Sequence, residues 1–211
     1  LVRLALTAWS LSLWGETIKN SLYKESARKS FVYLKENLYD HPNIPTYYRC
    51  LSLIYYRRLA IVLGEHEEAK KSGEVIISLI PNLDYEPILY SQIAIHFMDV
   101  ASQDDDYLKK AKEFTKIVLE DYEKGIKENR LELARYPELI YLFKEISKKT
   151  NNKELLENAS KINDWYVSKQ LKDGSFPSLD GSVFSYVRGT GKIFEVLSLD
   201  LEKNKKVIEK T

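Results

Sequence analysis

Hydrophobic positions along the chain fall into two alternating kinds of helical segment. One kind is apolar and aromatic almost throughout, at about 2–18, 46–63, 87–101, 137–148 and 184–200. The other kind is amphipathic, with charged residues on one face and apolar residues recurring every three and four positions on the other. This alternation predicts an all-α fold of consecutive helical hairpins.

The amphipathic segments align on an alanine, which indicates an internal repeat. Ala27, Ala69, Ala111 and Ala159 are 42, 42 and 48 residues apart, and an apolar run follows each of them. A small side chain at this position lets a neighbouring helix pack closely. The sequence therefore predicts a single helical-hairpin domain with repeats at about 1–42, 43–84, 85–130, 131–180 and 181–211.

The repeat length narrows the possible architectures to two. A unit of 42–48 residues exceeds the roughly 34 residues of a tetratricopeptide repeat. It suits either a HEAT-like solenoid or an α/α toroid. In a toroid the apolar helices form an inner ring and the charged helices an outer ring, and the sequence has that asymmetry. Four hairpins and the start of a fifth are too few for a ring of six, so the barrel is expected to be incomplete. An open solenoid of HEAT or TPR type is the alternative.

Charge and composition exclude several classes of protein. Lys and Arg number 32 against 31 Asp and Glu, so no net charge draws the chain to nucleic acid. No stretch approaches the roughly 20 apolar residues of a membrane span. The apolar run 1–14 lacks a basic segment before it and a cleavage site after it, so no signal peptide is expected. Abundant Lys and Glu with only three Gln are typical of thermophile proteins.

The residues that carry redox and metal chemistry are few. The single cysteine, Cys50, lies within an apolar helix, which predicts a core position and is compatible with a cytoplasmic location. His96 lies on an apolar face and is expected to be a core histidine. No two histidines have metal-ligand spacing, and Gly189-Thr190-Gly191-Lys192 lacks the context of a phosphate loop. We therefore expect no metal and no cofactor.

One segment resembles known families. Trp165, Gln170, Gly174 and Phe176 are spaced as in the QW repeat of the terpenoid cyclase and prenyltransferase toroids, although Phe176 stands where that pattern prefers Trp. The Asp-Gly-Ser-Phe turn that ends at Phe176 also resembles the six-hairpin glycosidase-like superfamily, and this second resemblance spreads over 85–200. The acidic motifs of the cyclases are absent.

Local chemistry predicts a structural role for this segment. Asp173 and Gly174 suit a tight turn in which the glycine takes a positive φ. The Gln170 side chain is expected to bond exposed carbonyls at the helix end, and Phe176 to fold back on the helix.

The toroid resemblance implies a site near the N-termini of the inner helices. Glu86 and Glu138 are the two carboxylates there that could act as acid and base. Aromatic faces and Arg forks suit sugar rings and carboxylates. The implied ligand-binding residues are Tyr48, Arg49, Arg135, Tyr136, Tyr186 and Arg188. The structural alternative is that Glu near a helix start is favoured by the helix dipole alone.

Two functions follow from these patterns. The first is a six-hairpin glycosidase-like protein that acts on or binds carbohydrate, or another small molecule, in a cavity lined by Trp9, Tyr48, Arg135, Glu138 and Tyr186. The second is a non-catalytic helical-repeat scaffold that binds a protein partner on a concave surface. The aromatic and basic run 55–58 is followed closely by glutamates, so an interior or interface role is expected for it rather than nucleic-acid binding.

Overall fold

A computed structural model describes residues 1–39, 44–101 and 105–179, together with Ile193, Val196 and Leu197. This part of the chain is all-α, as the sequence predicts, and it includes an isolated bridge between Glu132 and Leu179. The helices are α1 Val2–Thr17, α2 Ser21–Asn37, α3 Thr46–Leu63, α4 His66–Leu79, α5 Pro87–Val100, α6 Asp105–Lys127, α7 Glu138–Thr150 and α8 Lys153–Ser168.

Within this part of the chain, no helix combines the length and the apolar composition needed to cross a membrane.

Consecutive helices pack against each other in pairs. α1 packs on α2, α3 on α4, α5 on α6 and α7 on α8, and the first helices of neighbouring hairpins also pack, α1 on α3 and α5 on α7. The chain divides into two compact units, unit 1 (Leu1–Tyr85) and unit 2 (Glu86–Thr211). The division falls between the second and third predicted repeats, so each unit begins with a helix of the apolar kind.

The four alanines that define the repeat are all buried. Ala27, Ala111 and Ala159 are fully inaccessible, and Ala69 is 6% exposed. Each lies on an amphipathic second helix of a hairpin, as the spacing predicts. A larger side chain at these positions would collide with the packed neighbour, since protein interiors hold few voids.

A partly buried carboxylate joins three helices of unit 1. Glu68 of α4 accepts hydrogen bonds from the hydroxyls of Tyr39 (3.3 Å) and Tyr56 (3.2 Å). Its other oxygen lies 2.9 Å from Nζ of Lys35 on α2. Burial alone would raise the pKa of Glu68, but the hydrogen bond and charge of Lys35 and the hydrogen bond from Tyr56 lower it. Glu68 is therefore ionised in the folded protein.

The core of unit 2 is apolar and aromatic, and a hydrogen bond from one of its tyrosines fixes a loop. The fully buried Tyr166 of α8 donates its hydroxyl to the Leu133 carbonyl at 2.7 Å. Burial raises the pKa of Tyr166, with smaller contributions from Tyr122 and Glu138. Around it pack Val118, Tyr122, Leu131, Leu139, Phe143, Ile162, Phe176, Ile193, Val196 and Leu197.

Gly64 ends α3 in a conformation that other residues rarely adopt. Its φ is +77°, and the amide N–H groups of Gly64 and Glu65 donate to the carbonyls of Ile61 (3.1 Å) and Ala60 (2.8 Å). A Cβ added at Gly64 would meet nothing within 4 Å, so substitution costs only backbone strain.

We expect Gly64→Ala to destabilise the protein by about 1–2 kcal/mol because it places a Cβ in the left-handed region. Urea unfolding followed by circular dichroism measures this change. Gly64→Asn is the matched control and should lose less stability, since Asn tolerates this region better. Equal losses in the two variants would contradict the backbone explanation.

Candidate functional site

Glu86, the first predicted catalytic carboxylate, is the N-cap of α5. Its Oε2 accepts a hydrogen bond from the Leu89 amide at 2.9 Å, and its Oε1 lies 3.6 Å from Nη1 of Arg135. Arg135 also donates from Nε to Glu132. Burial would lower the pKa of Arg135, but the charges and hydrogen bond of Glu132 and the charge of Glu86 raise it. The structure thus brings two predicted site residues together as an ion pair. This pair links the N-terminus of α5 to the loop before α7.

Glu138, the second predicted catalytic carboxylate, lies inside unit 2. It is the first residue of α7 and only 5% exposed. Its Oε1 accepts a hydrogen bond from Nε2 of Gln92 on α5 at 3.2 Å, so the carboxylate bridges two packed helices. A general acid or base must come within hydrogen-bond reach of its substrate. Because Glu138 is almost fully buried, little of the residue is accessible to a substrate.

Tyr136, a predicted ligand-binding residue, is part of the core of unit 2. It is 4% exposed, its ring packs against Tyr122 at 5.8 Å, and its hydroxyl donates to Oδ2 of Asp121 at 2.7 Å. Burial raises the pKa of Tyr136, and the hydrogen bond and charge of Asp121 raise it further. Its position is that of a structural tyrosine.

The remaining predicted ligand-binding residues lie in unit 1 or outside the described residues. Tyr48 is 53% exposed and meets Tyr47 edge-to-face at 4.8 Å. Arg49 is half-buried and donates to the backbone carbonyl of Tyr39. Tyr186 and Arg188 lie outside the residues that the structure describes.

The segment that resembles the QW repeat forms the turn that ends α8. Gly174 has a φ of +87°, and Phe176 is 1% exposed, as predicted. The Gln170 side chain donates to the Gly174 carbonyl at 2.9 Å rather than to the helix end. The prediction for Gln170 was wrong in this detail because backbone amides already bond the helix-end carbonyls of Tyr166 and Val167.

This turn also holds the loop that carries Arg135. The Leu133 amide donates to the Ser178 carbonyl at 3.1 Å, and Glu132 pairs with Leu179 in the isolated bridge. Together with the Tyr166 hydroxyl, these bonds position residues 132–135. The motif therefore has a structural role, because the turn that follows it positions the loop that contains Arg135.

A surface on the first helices of the two hairpins of unit 1 includes Trp9, Tyr48 and part of the run 55–58, but the sequence did not predict that α1 exposes its large residues there. On α1 the buried positions are small residues, Ala5, Ala8, Ser12 and Gly15. The large residues Leu6 and Leu13 are 37% and 40% exposed. This distribution is the reverse of the usual amphipathic helix, which buries its large apolar side chains.

The exposed side of α1 continues onto α3 through an aromatic and cationic contact. The Trp9 ring stacks on Tyr55 of α3 with centroids 6.0 Å apart. The Arg58 guanidinium lies 5.3 Å from the Trp9 ring and 5.8 Å from the Tyr55 ring, at cation–π distance. We name this surface the α1–α3 face; by helical spacing it comprises Val2, Leu6, Trp9, Leu13, Tyr48, Tyr55, Arg58 and Val62.

A sequence signal for this face exists. The sequence predicts α1 to be an inner helix because hydrophobic residues occur on all of its sides. Its small residues, however, recur at intervals of three, four and three, from Ala5 to Gly15. That spacing marks the packed side of a helix and leaves the large residues outside.

Two further predictions concern buried reactive groups. Cys50 is fully buried, and burial raises the pKa of its thiol to about 12, which makes it inert at neutral pH. His96 is 2% exposed, as predicted for a core histidine. Among the described residues, no group of three or more His, Cys, Asp or Glu is placed to hold a metal ion.

Comparison with known proteins finds no matching family model, no matching curated protein and no matching solved structure. The resemblance to toroid enzymes therefore stays a prediction.

Proposed function

We propose that this chain is a non-catalytic helical-repeat protein that binds a protein partner on unit 1. The observation that carries the proposal is where large hydrophobic side chains reach solvent. Of the fourteen exposed ones among the described residues, eleven belong to unit 1. Exposed apolar side chains that form a contiguous patch mark an interaction surface.

The chemistry of the exposed side chains favours protein over carbohydrate. Many are aliphatic, such as Leu6, Leu13 and Leu22, and Leu22 is 68% exposed. Aliphatic side chains gain by burial against other apolar groups, at roughly 25 cal/mol per Å². Sugars present hydroxyl groups, and these need hydrogen-bonding partners that aliphatic residues do not supply.

The carbohydrate-active alternative has less support from the predicted catalytic pair. Glu86 is committed to the N-terminus of α5 and to Arg135. Glu138 is buried against Gln92. Both carboxylates hold elements of unit 2 together, which accounts for them without catalysis. Carbohydrate binding stays a prediction from the family resemblance.

A peptide library displayed on phage tests the proposal against the purified chain. We expect the wild type to enrich apolar peptides, and the double variant Leu6→Ser, Leu13→Ser to bind them about tenfold more weakly, since about 1.4 kcal/mol of apolar burial is lost. Leu156→Ser is the matched control, because Leu156 is 50% exposed on α8 of unit 2. It should bind as the wild type does.

A thermal-shift screen with neutral and acidic oligosaccharides tests the alternative on the same preparation. A ligand at about 100 times its Kd adds about 2.7 kcal/mol of stability, a readily measured shift. A shift that disappears in Arg135→Ala or Glu138→Gln would overturn the proposal and place a sugar site in unit 2. No shift, together with peptide selection that depends on Leu6 and Leu13, supports it.

A further inference from the structure

We propose that the partner of the α1–α3 face is a second copy of this chain, whose α1 packs antiparallel against the same helix. The inference rests on the proposed function and names the protein that the surface binds. It follows from the lack of charge along α1, from the spacing of the residues on its outer side and from the position of its single arginine.

The outer side of α1 lacks charge over most of its length. No charged residue occurs in 4–15, although Leu6 and Leu13 are 37% and 40% exposed. The next helix, α2, contains six charged residues. Two identical surfaces meet favourably only where like charges do not face each other. The uncharged outer side of α1 satisfies this condition, and most soluble oligomers are symmetric assemblies of one chain.

The large residues on the outer side of α1 have a spacing that reads the same in both directions. Val2, Leu6, Trp9 and Leu13 follow one another at intervals of four, three and four. These are the intervals of the a and d positions of a coiled coil. In an antiparallel pair, Val2 of each copy lies beside Leu13 of the other, and Leu6 lies beside Trp9. Each of the four residues then has an apolar neighbour.

The hydroxyl groups beside these residues already have acceptors on their own helix. The Ser10 hydroxyl donates to the Leu6 carbonyl at 3.0 Å, and the Thr17 hydroxyl donates to the Leu13 carbonyl at 2.9 Å. A contact that excludes water therefore leaves neither hydroxyl proton without an acceptor. The outer side of α1 can be buried against a second α1 without the cost of unbonded donors.

The position of Arg3 favours the antiparallel orientation over the parallel one. Arg3 is exposed and lies in the first turn of α1, next to Val2. In a parallel pair in register, the two Arg3 side chains would lie at the same level and repel each other. In the antiparallel pair their levels are nine residues apart, or about 13 Å along the helix axis. This separation exceeds the Debye length of about 8 Å at physiological salt, so the repulsion is largely screened.

Sedimentation equilibrium of the whole chain tests the proposal. We expect a monomer–dimer equilibrium in which the dimer fraction falls on dilution, as mass action requires. The double variant Leu6→Ser, Leu13→Ser should raise the dimer Kd at least about tenfold, because each copy loses two apolar contacts. Leu22→Ser is the matched control, since Leu22 is 68% exposed but belongs to α2. It should dimerise as the wild type does, and unchanged circular dichroism spectra show that the variants fold.

Crosslinking between introduced cysteines measures the orientation of the two helices. Val2→Cys and Leu13→Cys are prepared separately and treated with a short bismaleimide, each alone and then as a mixture. We expect crosslinked dimers only in the mixture, since two Val2 positions, or two Leu13 positions, lie about 16 Å apart in the antiparallel pair. The native Cys50 does not interfere, because it is fully buried. Crosslinking of Val2→Cys alone would show a parallel pair and overturn the proposal.

The outcomes distinguish this inference from the proposed function. Peptide selection is carried out below the dimer Kd, where the α1–α3 face is open. A chain that stays monomeric at every concentration, yet selects peptides through Leu6 and Leu13, overturns the second copy and leaves the proposed function standing with another protein as partner. A dimer that ignores both leucines also overturns the second copy on this face. A monomer that selects no such peptide overturns both proposals.

Discussion

Phe176→Ala is expected to destabilise unit 2 by about 3–5 kcal/mol. The Phe176 side chain is 1% exposed and belongs to the core that α6, α7 and α8 share. Its removal leaves a cavity beneath the turn at Gly174, and the surrounding helices can close it only in part. The loss is large because the cavity is added to the lost burial of the ring.

Thermal unfolding followed by circular dichroism measures this effect, and a fall in Tm of roughly 10 °C is expected for a chain of this size. Leu179→Ala is the matched control, since Leu179 lies three residues further along and is 48% exposed. It should change stability by less than about 1 kcal/mol. Equal effects of the two variants would show that Phe176 does not anchor the turn.

Glu68→Ala is expected to destabilise unit 1 by about 3 kcal/mol. The substitution removes the shared acceptor of the Tyr39 and Tyr56 hydroxyls and the ion-pair partner of Lys35. The tyrosine hydroxyls are then left with an unmet hydrogen bond in a partly buried place. Glu67→Ala is the control, since Glu67 is the exposed neighbour on the same turn of α4.

The same carboxylate makes unit 1 sensitive to acid. The folded protein lowers the pKa of Glu68 below its ordinary value of 4.5. The stability that Glu68 contributes is therefore present above pH 4.5 and is lost as the pH falls through its lowered pKa. Comparison of the wild type with Glu68→Gln in urea should show a difference at pH 7 that shrinks below pH 4.5. A difference that is constant with pH would contradict the role of the charge.

Helix positions could be predicted from the sequence where punctuation residues flank an apolar run. The predicted helix at 46–63 matches α3 because Pro45 stands before it and Gly64 ends it. The predicted helix at 137–148 matches α7 less well. Pro137 is the N-cap, and the helix continues to Thr150, where Asn151 takes the left-handed conformation. Asn fills this role less often than Gly, so its signal in a sequence is weaker.

The candidate site was harder to predict, because a helix start does not reveal the direction of its side chains. Glu86 and Glu138 both stand at predicted helix starts, and both are found there. One turns back to cap its own helix, and the other points at Gln92 on a neighbouring helix. That difference depends on residues far apart in sequence, which periodicity does not relate. The exposed side of α1 escaped prediction for a different reason: hydrophobicity alone does not distinguish the packed face of an apolar helix, whereas the spacing of its small residues does.

The bonds that hold residues 132–135 have a consequence for synthesis. The loop precedes α7, but its fixed partners, Tyr166 and Ser178, come after it in the chain. On the ribosome, the loop therefore leaves the exit tunnel well before the residues that hold it exist outside. During that interval the bonds that position the loop around Arg135 are not yet formed. The Leu133 amide, for example, does not yet have the Ser178 carbonyl as its acceptor. Unit 1 lies earlier in the chain and can fold first, since domains generally fold as units from the N-terminus. Unit 1, which carries the apolar surface, is then complete while unit 2 is still being made.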